Sequence, residues 1–404
     1  MTASGAVIVG AGPAGLACAA CLKQAGVEAV VLEKSDAVAP VWRRHYDRLH
    51  LHTNRAVSGL PGFALPKTYP RYPDRAQVVD YLEQYARHFD LRPHFGAAAT
   101  SARRDDGLWR VETAAGTFAA ANLIMATGIA DFPHRPHWPG EARFGGDIRH
   151  SSDYRNPAPY AGRKVLVVGF GNSGAEIALD LAEHGVPVAL AVRGPVNIVP
   201  RDLLGIPILS IAIALSVLPP AVADTLSAPV VRLAVRSLAR LGLQRAPRGP
   251  LATIAEQARV PLIDMGTVAK IRAGAIAIRP DVRALDAGHV TFADGTREAF
   301  DAIIGATGFR PDLRPLLPDV NGALDAAGLP RVSGRPTAVP GLYFCGFYVS
   351  PTGQLREIGI EARRIADLSR AAGPARASGG NRTMRYADPH PGPLPQAGEG
   401  AVGA

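Results

Sequence analysis

The sequence predicts an α/β protein made of two similar units, each built around a parallel β-sheet. Two observations predict this fold class: a strand, a glycine-rich turn, a helix and a second strand follow one another near the N-terminus, and the same pattern recurs in mid-chain. The chain is 404 residues long, with 47% hydrophobic and 20% charged residues. This length suits two or three domains, and this composition excludes a disordered chain or a coiled coil.

The first unit begins with a short apolar strand that leads into Gly10, Gly12 and Gly15. Gly10 suits the tight turn, Gly12 lets a pyrophosphate approach the backbone, and Gly15 lets the following helix pack closely on the strand. A second strand, from Val27 to Leu32, leads to a glutamate whose carboxylate is placed to accept hydrogen bonds from ribose hydroxyls. The pattern predicts a Rossmann-like dinucleotide site, with the candidate residues Gly10, Gly12, Pro13, Ala14, Gly15, Glu33 and Lys34.

The second unit repeats this pattern from Val165 onward. Val192 takes the place of Glu33, and Arg193 follows it directly. Because a carboxylate repels a 2′-phosphate whereas a guanidinium pairs with one, we expect this second site to prefer NADPH to NADH. The alternative is that Arg193 is a solvated surface residue. The candidate residues of the second site are Gly169, Gly171, Asn172, Ser173, Gly174 and Arg193.

Two further apolar strands each end in Ala-Thr-Gly, one at Thr127 and Gly128 and the other at Thr307 and Gly308, and each is predicted to leave a domain through a glycine turn. Another short strand ends at Gly346. We predict a helix from Gln354 to Arg370, with its positive N-terminal end directed at the first site. The further cofactor-binding candidates are Thr127, Gly128, Thr307, Gly308, Gly346 and Gln354.

Charge and cysteine content narrow the class of protein. The formal net charge is +9, but the basic residues are spread along the chain without a nucleic-acid motif, so we exclude nucleic acid as a partner. The N-terminus shows no secretory signal and the three cysteines form no disulfide framework, so we expect a cytoplasmic protein.

Cys18 and Cys21 are predicted to pack inside the first helix, and histidines 45, 50 and 52 lack the partners of a metal site.

The segment between the two glycine motifs has the spacing F-x-G-x-x-x-H-x-x-x-Y, formed by Phe144, Gly146, His150 and Tyr154. With this signature and both glycine motifs, the sequence resembles the class B flavin-containing monooxygenases over nearly the whole chain. It most closely resembles the YUCCA-like branch, whose members oxidatively decarboxylate 2-oxo acids such as indole-3-pyruvate. Baeyer–Villiger enzymes usually have Trp at the position of Tyr154.

The resemblance implies a large FAD domain that is interrupted by a smaller NADPH domain. We assign residues 1–157 and 298–372 to the discontinuous FAD domain and residues 158–297 to the NADPH domain, with an apolar and basic insert at 200–260. The resemblance also implies the chemistry. NADPH reduces FAD, the reduced flavin takes up O₂ as a C4a-(hydro)peroxide, and one oxygen atom passes to a small organic substrate.

Several single residues receive roles through the same resemblance. Asn54 is the catalytic candidate near the flavin C4a position, and the alternative is a residue of a surface turn. Trp42 either covers one end of FAD or is a core aromatic residue. His150 and Tyr154 either orient the nicotinamide or pack the linker, and Arg55 is the candidate cation for a 2-oxo acid carboxylate.

The insert contains an uncharged run, residues 203–223, that prolines divide into pieces too short to span a bilayer. We favour burial of this run against the FAD domain. The alternative is peripheral contact with the inner face of a membrane through residues 203–245, where Arg232, Arg236 and Arg240 indicate a basic amphipathic helix. Residues 373–404 have no apolar periodicity and are predicted to be a disordered tail.

We therefore expect an FAD-dependent NADPH monooxygenase that uses O₂ to decarboxylate a 2-oxo acid or to oxygenate a nitrogen or sulfur atom. Two other enzymatic hypotheses are a Baeyer–Villiger oxygenase and an NADPH oxidase that releases H₂O₂. A hypothesis of another class is a non-catalytic FAD-binding redox sensor or membrane-associated partner. Two intact glycine motifs argue against it, because a protein without hydride transfer does not need the second site.

Overall fold

A computed structural model of the chain describes residues 4–235 and 238–371, so Arg236 and the tail predicted at 373–404 lie outside the described residues. The strands within this part of the chain are β1 (Ser4–Val9), β2 (Ala29–Leu32), β3 (Ala99–Asp105), β4 (Leu108–Thr113), β5 (Gly116–Met125), β6 (Asp147–His150), β7 (Val165–Val168), β8 (Val188–Ala191), β9 (Ile198–Pro200), β10 (Asp202–Leu203), β11 (Ile206–Pro207), β12 (Leu262–Asp264), β13 (Ile276–Arg279), β14 (Val282–Asp286), β15 (His289–Phe292), β16 (Arg297–Ala299), β17 (Ala302–Gly305) and β18 (Leu342–Phe344). The helices are α1 (Pro13–Gln24), α2 (Pro40–Arg44), α3 (Arg75–His88), α4 (Asn172–Glu183), α5 (Ile208–Leu215), α6 (Pro220–Val235), α7 (Pro250–Gln257), α8 (Thr267–Arg272) and α9 (Gln354–Ala371).

The first sheet has six strands in the order β2-β1-β5-β4-β3, with β18 also paired to β5. The long strand β5 pairs with β4 through its first half and with β18 through its second half. Strands β2, β1, β5 and β18 are parallel, whereas β3 and β4 are antiparallel to their neighbours. The parallel part therefore presents the carboxyl ends of four strands at one edge.

The second sheet has five parallel strands in the order β13-β8-β7-β17-β6. Every residue of β7, β8 and β17 is buried, as expected for a parallel sheet that is covered on both faces. Side chains of α4 and α8 cover one face, and side chains of the antiparallel sheet β14-β15-β16 pack on the other. The two predicted parallel-sheet units are confirmed.

The two glycine motifs have the same local geometry. Gly10 and Gly169 both have positive φ angles, of 110° and 107°, which L side chains rarely adopt. A Cβ atom added at Gly15 would lie 1.8 Å from the carbonyl oxygen of Gly10, and one at Gly174 would lie 2.1 Å from that of Gly169. In each unit the helix thus rests directly on the turn, as the spacing predicted.

Helix α1 is buried between the first sheet and α9. Cys18 and Cys21 are both buried on this helix, and Cys345 is buried nearby. Burial raises the pKa of Cys21 to about 12, so its thiol stays protonated at neutral pH. The predicted packing role of the C-x-x-C pair is confirmed, and so is the helix expected from Gln354, which runs to Ala371.

The segment between the two glycine motifs, with its signature residues Phe144, Gly146, His150 and Tyr154, is the linker. His150 bonds this linker to the residues that follow β17. Its Nε2–H donates to the carbonyl oxygen of Gly308 (3.0 Å), and its Nδ1 accepts from the backbone N–H of Ser152 (3.1 Å). Burial lowers the pKa of His150, in agreement with a neutral ring that donates through one nitrogen and accepts through the other.

The remaining residues of the signature are also part of the packing. Tyr154 is 1% exposed, its hydroxyl donates to Asp180 on α4 (2.7 Å), and its ring stacks on Tyr160. Phe144 is in the core beside β7 and β17, and a Cβ atom at Gly146 would lie 2.4 Å from a backbone oxygen. These contacts favour the packing interpretation of the linker.

The predicted domain boundaries differ from the strand pairing. Strand β6, placed by the prediction in residues 1–157, and β17, placed in residues 298–372, both belong to the second sheet. The reason is that β17 occupies the position beside β7 that β5 occupies beside β1, so its Ala-Thr-Gly end belongs to the second unit. The assignment of one cofactor to each unit stays a prediction.

The insert forms the hairpin β10-β11 and the helices α5, α6 and α7. The favoured burial of this run is only partly realised, because Leu204 is 94% and Val217 is 85% exposed. Arg240 is exposed, whereas Arg236 lies outside the described residues and nothing is described of the Arg232 side chain. Within the described ranges, none of the helices combines the length and apolar character needed to cross a bilayer. Peripheral membrane contact through 203–245 stays a prediction.

We predict that Tyr154→Phe lowers the free energy of unfolding by about 1–3 kcal/mol, because it leaves a buried Asp180 oxygen without its donor. Tyr160→Phe is the matched control, since the described residues provide no hydrogen-bond partner for its hydroxyl. Urea unfolding followed by tryptophan fluorescence measures both variants. Equal losses in the two variants would contradict the role assigned to the Tyr154–Asp180 bond.

Candidate functional site

A cavity of about 790 Å³ opens at the carboxyl ends of β1, β2, β5 and β18. Its size and mainly apolar walls are typical of a site for a cofactor or small molecule. The predicted site residues that line it are Gly10, Gly12, Pro13, Ala14, Glu33, Lys34, Trp42, Thr127, Gly128, Asn172, Gly346 and Gln354. The predicted residues outside its lining are Gly15, Asn54, Phe144, Gly146, His150, Tyr154, Gly169, Gly171, Ser173, Gly174, Arg193, Thr307 and Gly308.

The first glycine motif forms an anion cradle in this cavity. Gly12 is the N-cap of α1, and a Cβ atom added there would meet no atom within 4 Å, so the backbone faces open space. The hydroxyl oxygen of Thr127 is buried beside it on the lining without a hydrogen-bond partner in the described part of the chain. A pyrophosphate fits here because it accepts hydrogen bonds from helix N–H groups and from a hydroxyl.

Glu33 and Lys34 stand at the end of β2 on the same cavity wall. Glu33 is 3% exposed, and its carboxylate accepts hydrogen bonds from the backbone N–H groups of Ala11 (2.7 Å) and Ser35 (2.9 Å). Lys34 pairs with Asp131, whose carboxylate also pairs with Arg44. The carboxylate of Glu33 is thereby fixed where a ribose hydroxyl was predicted to bind.

The N-terminal end of α9 also reaches the cavity, as the sequence predicted. The Gln354 amide donates to the carbonyl oxygen of Gly346 (2.9 Å), and the N–H of Gly346 donates to Glu361 (2.6 Å). Burial raises the pKa of Glu361 to about 7, above its usual value of 4.5. This helix directs partial positive charge at the cavity, which favours an anionic or electron-rich ligand.

The second glycine motif leaves its backbone open on the second unit. A Cβ atom at Gly171 would meet nothing within 4 Å, as at Gly12. Arg193 is exposed, and Arg310, which the sequence prediction missed, is exposed as well. Burial lowers the pKa of His134, and the charges of Arg310 and Arg193 lower it further, so both guanidinium groups lie near this ring. Within the described residues, neither arginine has an acidic partner, which suits a phosphate.

Thr307 and Gly308 hold the linker in place. The Thr307 hydroxyl donates to the backbone oxygen of His134, and the Gly308 carbonyl oxygen accepts from His150. Ser173 lies against the hydroxyl of Tyr46, whose pKa is raised mainly by burial. The predicted nucleotide contacts of these three residues stay predictions.

The cavity reaches the second unit at one place, which we call the junction and define by His52, Asn172 and helix α5. The Nε2 atom of His52 lies 2.5 Å from a carboxylate oxygen of Glu176, a residue of α4 that is 2% exposed. Asn172 accepts a hydrogen bond from the N–H of Ile263 (2.8 Å). Apolar side chains of α5 form the opposite wall. The junction is therefore where residues of both units line the same cavity.

Asn54 holds α5 in place without lining the cavity. Its amide oxygen accepts from the N–H of Ala56 (3.0 Å), and its amide nitrogen donates to the Ser210 hydroxyl on α5 (3.1 Å). The role of Asn54 near the flavin stays a prediction. Arg55 donates to the carbonyl oxygen of Tyr69 (2.8 Å) and also lies outside the cavity lining.

Trp42 lines the cavity with its ring in edge contact with His45, at 5.8 Å between centroids. Burial, together with nearby arginines, lowers the pKa of His45 to about 4, so its ring is neutral at pH 7. In the part of the chain that the structure describes, no group of three His, Cys, Asp or Glu side chains is arranged to hold a metal ion.

Comparison with known proteins identifies the family. A family model described as pyridine nucleotide-disulphide oxidoreductase matches residues 7–201. Indole-3-pyruvate monooxygenase YUCCA1 from Oryza sativa subsp. japonica is 40% identical over 354 residues, which are 85% of this chain and 86% of that protein. Indole-3-pyruvate monooxygenase YUCCA6 from Arabidopsis thaliana is 39% identical, with 77% of each chain covered. The chain belongs to the YUCCA family of flavin monooxygenases.

A solved structure of a flavin monooxygenase is similar to this chain. A variant of a flavin monooxygenase from Stenotrophomonas maltophilia matches with a TM-score of 0.72 and 25% identity, and the match covers 92% of this chain and 99% of that one. The expected α/β class, the recognition of the family and the expectation of a monooxygenase are confirmed. The protein is an oxidoreductase enzyme, so the hypothesis of a non-catalytic flavoprotein is not retained.

Two features of this YUCCA site were missed at the level of sequence. Arg310 is distant from Arg193 in the chain, and only the pairing of β17 beside β7 brings the two together. Glu176 did give a signal, because it is an acid two residues after Gly174, with Ala175 before it and Ile177 after it in α4. Its partner His52 was considered only as a metal ligand.

We predict that Gly12→Ala and Gly15→Ala fail in different ways. Gly12→Ala should fold normally and lose bound flavin, because its methyl group enters the anion cradle. Gly15→Ala should lower the free energy of unfolding by about 1–3 kcal/mol or more, because its methyl group overlaps a backbone oxygen.

Flavin absorbance per mole of purified protein and thermal unfolding of the flavin-free protein distinguish the two effects. Gly145→Ala is the control, since its Cβ atom meets nothing and its φ is not positive. A Gly15→Ala protein as stable as this control would refute the packing role of the third glycine.

Proposed function

We propose that this protein is an FAD-containing, NADPH- and O₂-dependent monooxygenase that oxidatively decarboxylates an aromatic 2-oxo acid of the indole-3-pyruvate class. The observation that carries the proposal is the match along 85% of the chain to a protein named for that activity, together with one apolar cavity that touches both glycine-motif units. The net reaction converts a 2-oxo acid, O₂, NADPH and a proton into the carboxylic acid with one carbon fewer, CO₂, water and NADP⁺.

The first unit supplies the residues that would hold FAD. The Gly12 cradle and the Thr127 hydroxyl suit its pyrophosphate, Glu33 suits its ribose, and the N-terminal end of α9 lies on the same wall. When bound, FAD supplies the electron transfer from NADPH and the activation of O₂. The fixed carboxylate and the helix ends would orient the bound group.

The second unit supplies the residues that would hold NADPH. Gly171 leaves the backbone open at the start of α4, and Arg193 with Arg310 suits the 2′-phosphate. Asn172 at the start of α4 lines the cavity, which supports a position of the nicotinamide next to the junction. Helix α5 covers the junction with apolar side chains and so excludes water from it.

The proposal is tested on the purified yellow protein by NADPH consumption and product mass with indole-3-pyruvate, a thioether and a tertiary amine. Formation of indole-3-acetate and CO₂ in proportion to the NADPH consumed supports it. NADPH consumption that yields only H₂O₂ identifies an NADPH oxidase, and a lactone or ester product identifies a Baeyer–Villiger enzyme. Either outcome overturns the proposed reaction, as does protein that remains colourless with added FAD.

We predict that Arg193→Ala raises the KM for NADPH by about tenfold or more and leaves the KM for NADH unchanged. The reason is that a charge-assisted bond to the 2′-phosphate is lost and NADH has no such group. Initial rates with each nucleotide measure the effect, and Arg297→Ala, whose guanidinium pairs with Asp286 on a remote sheet, is the control. An equal rise for NADH and NADPH would contradict the assigned contact.

A further inference from the structure

A 2-oxo acid brings a carboxylate into a cavity whose walls are mostly apolar. A buried carboxylate is stable only with a cationic or strongly hydrogen-bonding partner. The sequence candidate for this partner, Arg55, is engaged with Tyr69 and lies outside the lining. Among the described residues on the lining, no arginine is present, and the cationic or potentially cationic side chains are Lys34, His45, His50 and His52.

Lys34, His45 and His50 do not fit this role. Lys34 is at the end of β2 and already pairs with Asp131. Burial and nearby arginines keep His45 neutral, with a pKa of about 4. His50 uses its Nδ1 atom on the backbone oxygen of Arg48 (2.6 Å), and among the described residues no carboxylate makes an ion pair with its ring.

The neutral polar side chains near the junction are also engaged. The Thr53 hydroxyl is bonded to Ser58 (2.5 Å), and the Ser350 hydroxyl to Thr352 (2.9 Å). The Asn172 amide is bonded on both sides, to Pro261 and Ile263. A ligand carboxylate would have to break one of these bonds to be bound by any of them.

His52 remains, and its surroundings suit the role. Its Nε2 atom is held at 2.5 Å by Glu176, whose buried carboxylate balances the charge of a doubly protonated ring. Its Nδ1 atom has no hydrogen-bond partner in the described structure, although the side chain lines the cavity and is 18% exposed. The ring is therefore oriented by a fixed partner at one nitrogen and open to a ligand at the other.

We propose that His52, oriented by Glu176, binds the carboxylate of the 2-oxo acid substrate. This inference rests on the proposed function, since it names the group that selects that substrate class. Nε2–H donates to Glu176 and Nδ1–H donates to the substrate carboxylate, so a single imidazolium bridges two carboxylates. His52 is a substrate-binding residue, and Glu176 is a positioning residue that acts through it.

Other ionisable groups face the pair from the surrounding elements. Tyr46 lies against Glu176 from the segment after α2, and its pKa is raised, so it stays neutral. Asp180 lies one turn further along α4 and accepts from Tyr154, and Arg48 pairs with Glu183 on the same helix. A change in substrate binding with pH must therefore be compared with the Tyr154→Phe variant, which alters Asp180 and leaves the His52–Glu176 pair intact.

The test compares indole-3-pyruvate with its uncharged methyl ester on purified holoenzyme. In His52→Gln, we expect the KM and the equilibrium-dialysis Kd for the acid to rise about tenfold or more, with the values for the ester, the KM for NADPH and the flavin content unchanged. His289→Gln is the matched control, because His289 is a partly buried histidine on the central strand β15 of the sheet β14-β15-β16, outside the cavity lining.

Glu176→Gln tests the positioning role through the pH profile. As the pH is raised, this variant should lose affinity for the acid at a lower pH than the native enzyme, and at low pH its affinity should approach the native value. A merely structural loss would weaken acid and ester alike at every pH.

The outcomes separate the two proposals. Native enzyme that turns over the acid, together with a His52→Gln variant that keeps its preference for acid over ester, overturns the assignment of His52 and leaves the proposed function standing. Native enzyme that turns over no 2-oxo acid but oxygenates the thioether or amine overturns the proposed function and the assignment with it.

Discussion

The structure depends on two places where a helix rests directly on a backbone carbonyl. At Gly15 and Gly174 there is no space for a Cβ atom, because the carbonyl oxygens of Gly10 and Gly169 occupy it. This contact sets the distance between α1 and β1 and between α4 and β7. It leaves the first N–H groups of each helix free to bind an anion at the carboxyl edge of its sheet. Each unit therefore has the same arrangement: one glycine allows the helix to pack on the turn, and another leaves the backbone open to a ligand.

The two units do not function separately, because the cavity of the first is completed by the second. Asn172 and Glu176, both in the first turns of α4, reach the junction, and α5 covers it with apolar side chains. The hydrogen bond between Asn54 and Ser210 links α5 back to the first unit. Asn54, which the sequence analysis placed near the flavin, therefore holds helix α5 over the junction. An apolar, water-excluding cover suits an oxygenase, since water competes with the organic substrate.

Local patterns predicted the sheets, the glycine turns and α9 because these features follow from residue spacing within one segment. The spacing of Phe144, Gly146, His150 and Tyr154 identified the family but did not reveal what the side chains do. Their contacts are with Gly308, Asp180 and backbone that lies far away in the chain. The predicted domain boundaries differ from the strand pairing for the same reason. Strand β6 precedes the predicted NADPH domain in the chain and β17 follows it. Only their pairing shows that both belong to the second sheet.

The sequence by itself determined that two dinucleotide-type units exist and where an acid or an arginine follows the second strand of each, because glycine spacing and apolar strands encode these features locally. Only the tertiary structure decided which polar groups share the cavity. Lys34 pairs with Asp131, Arg55 is held elsewhere, and His52 meets Glu176, which is distant in the chain. The physical reason is that hydrogen-bond pairing and charge balance depend on distances across elements, which no local pattern of residues specifies.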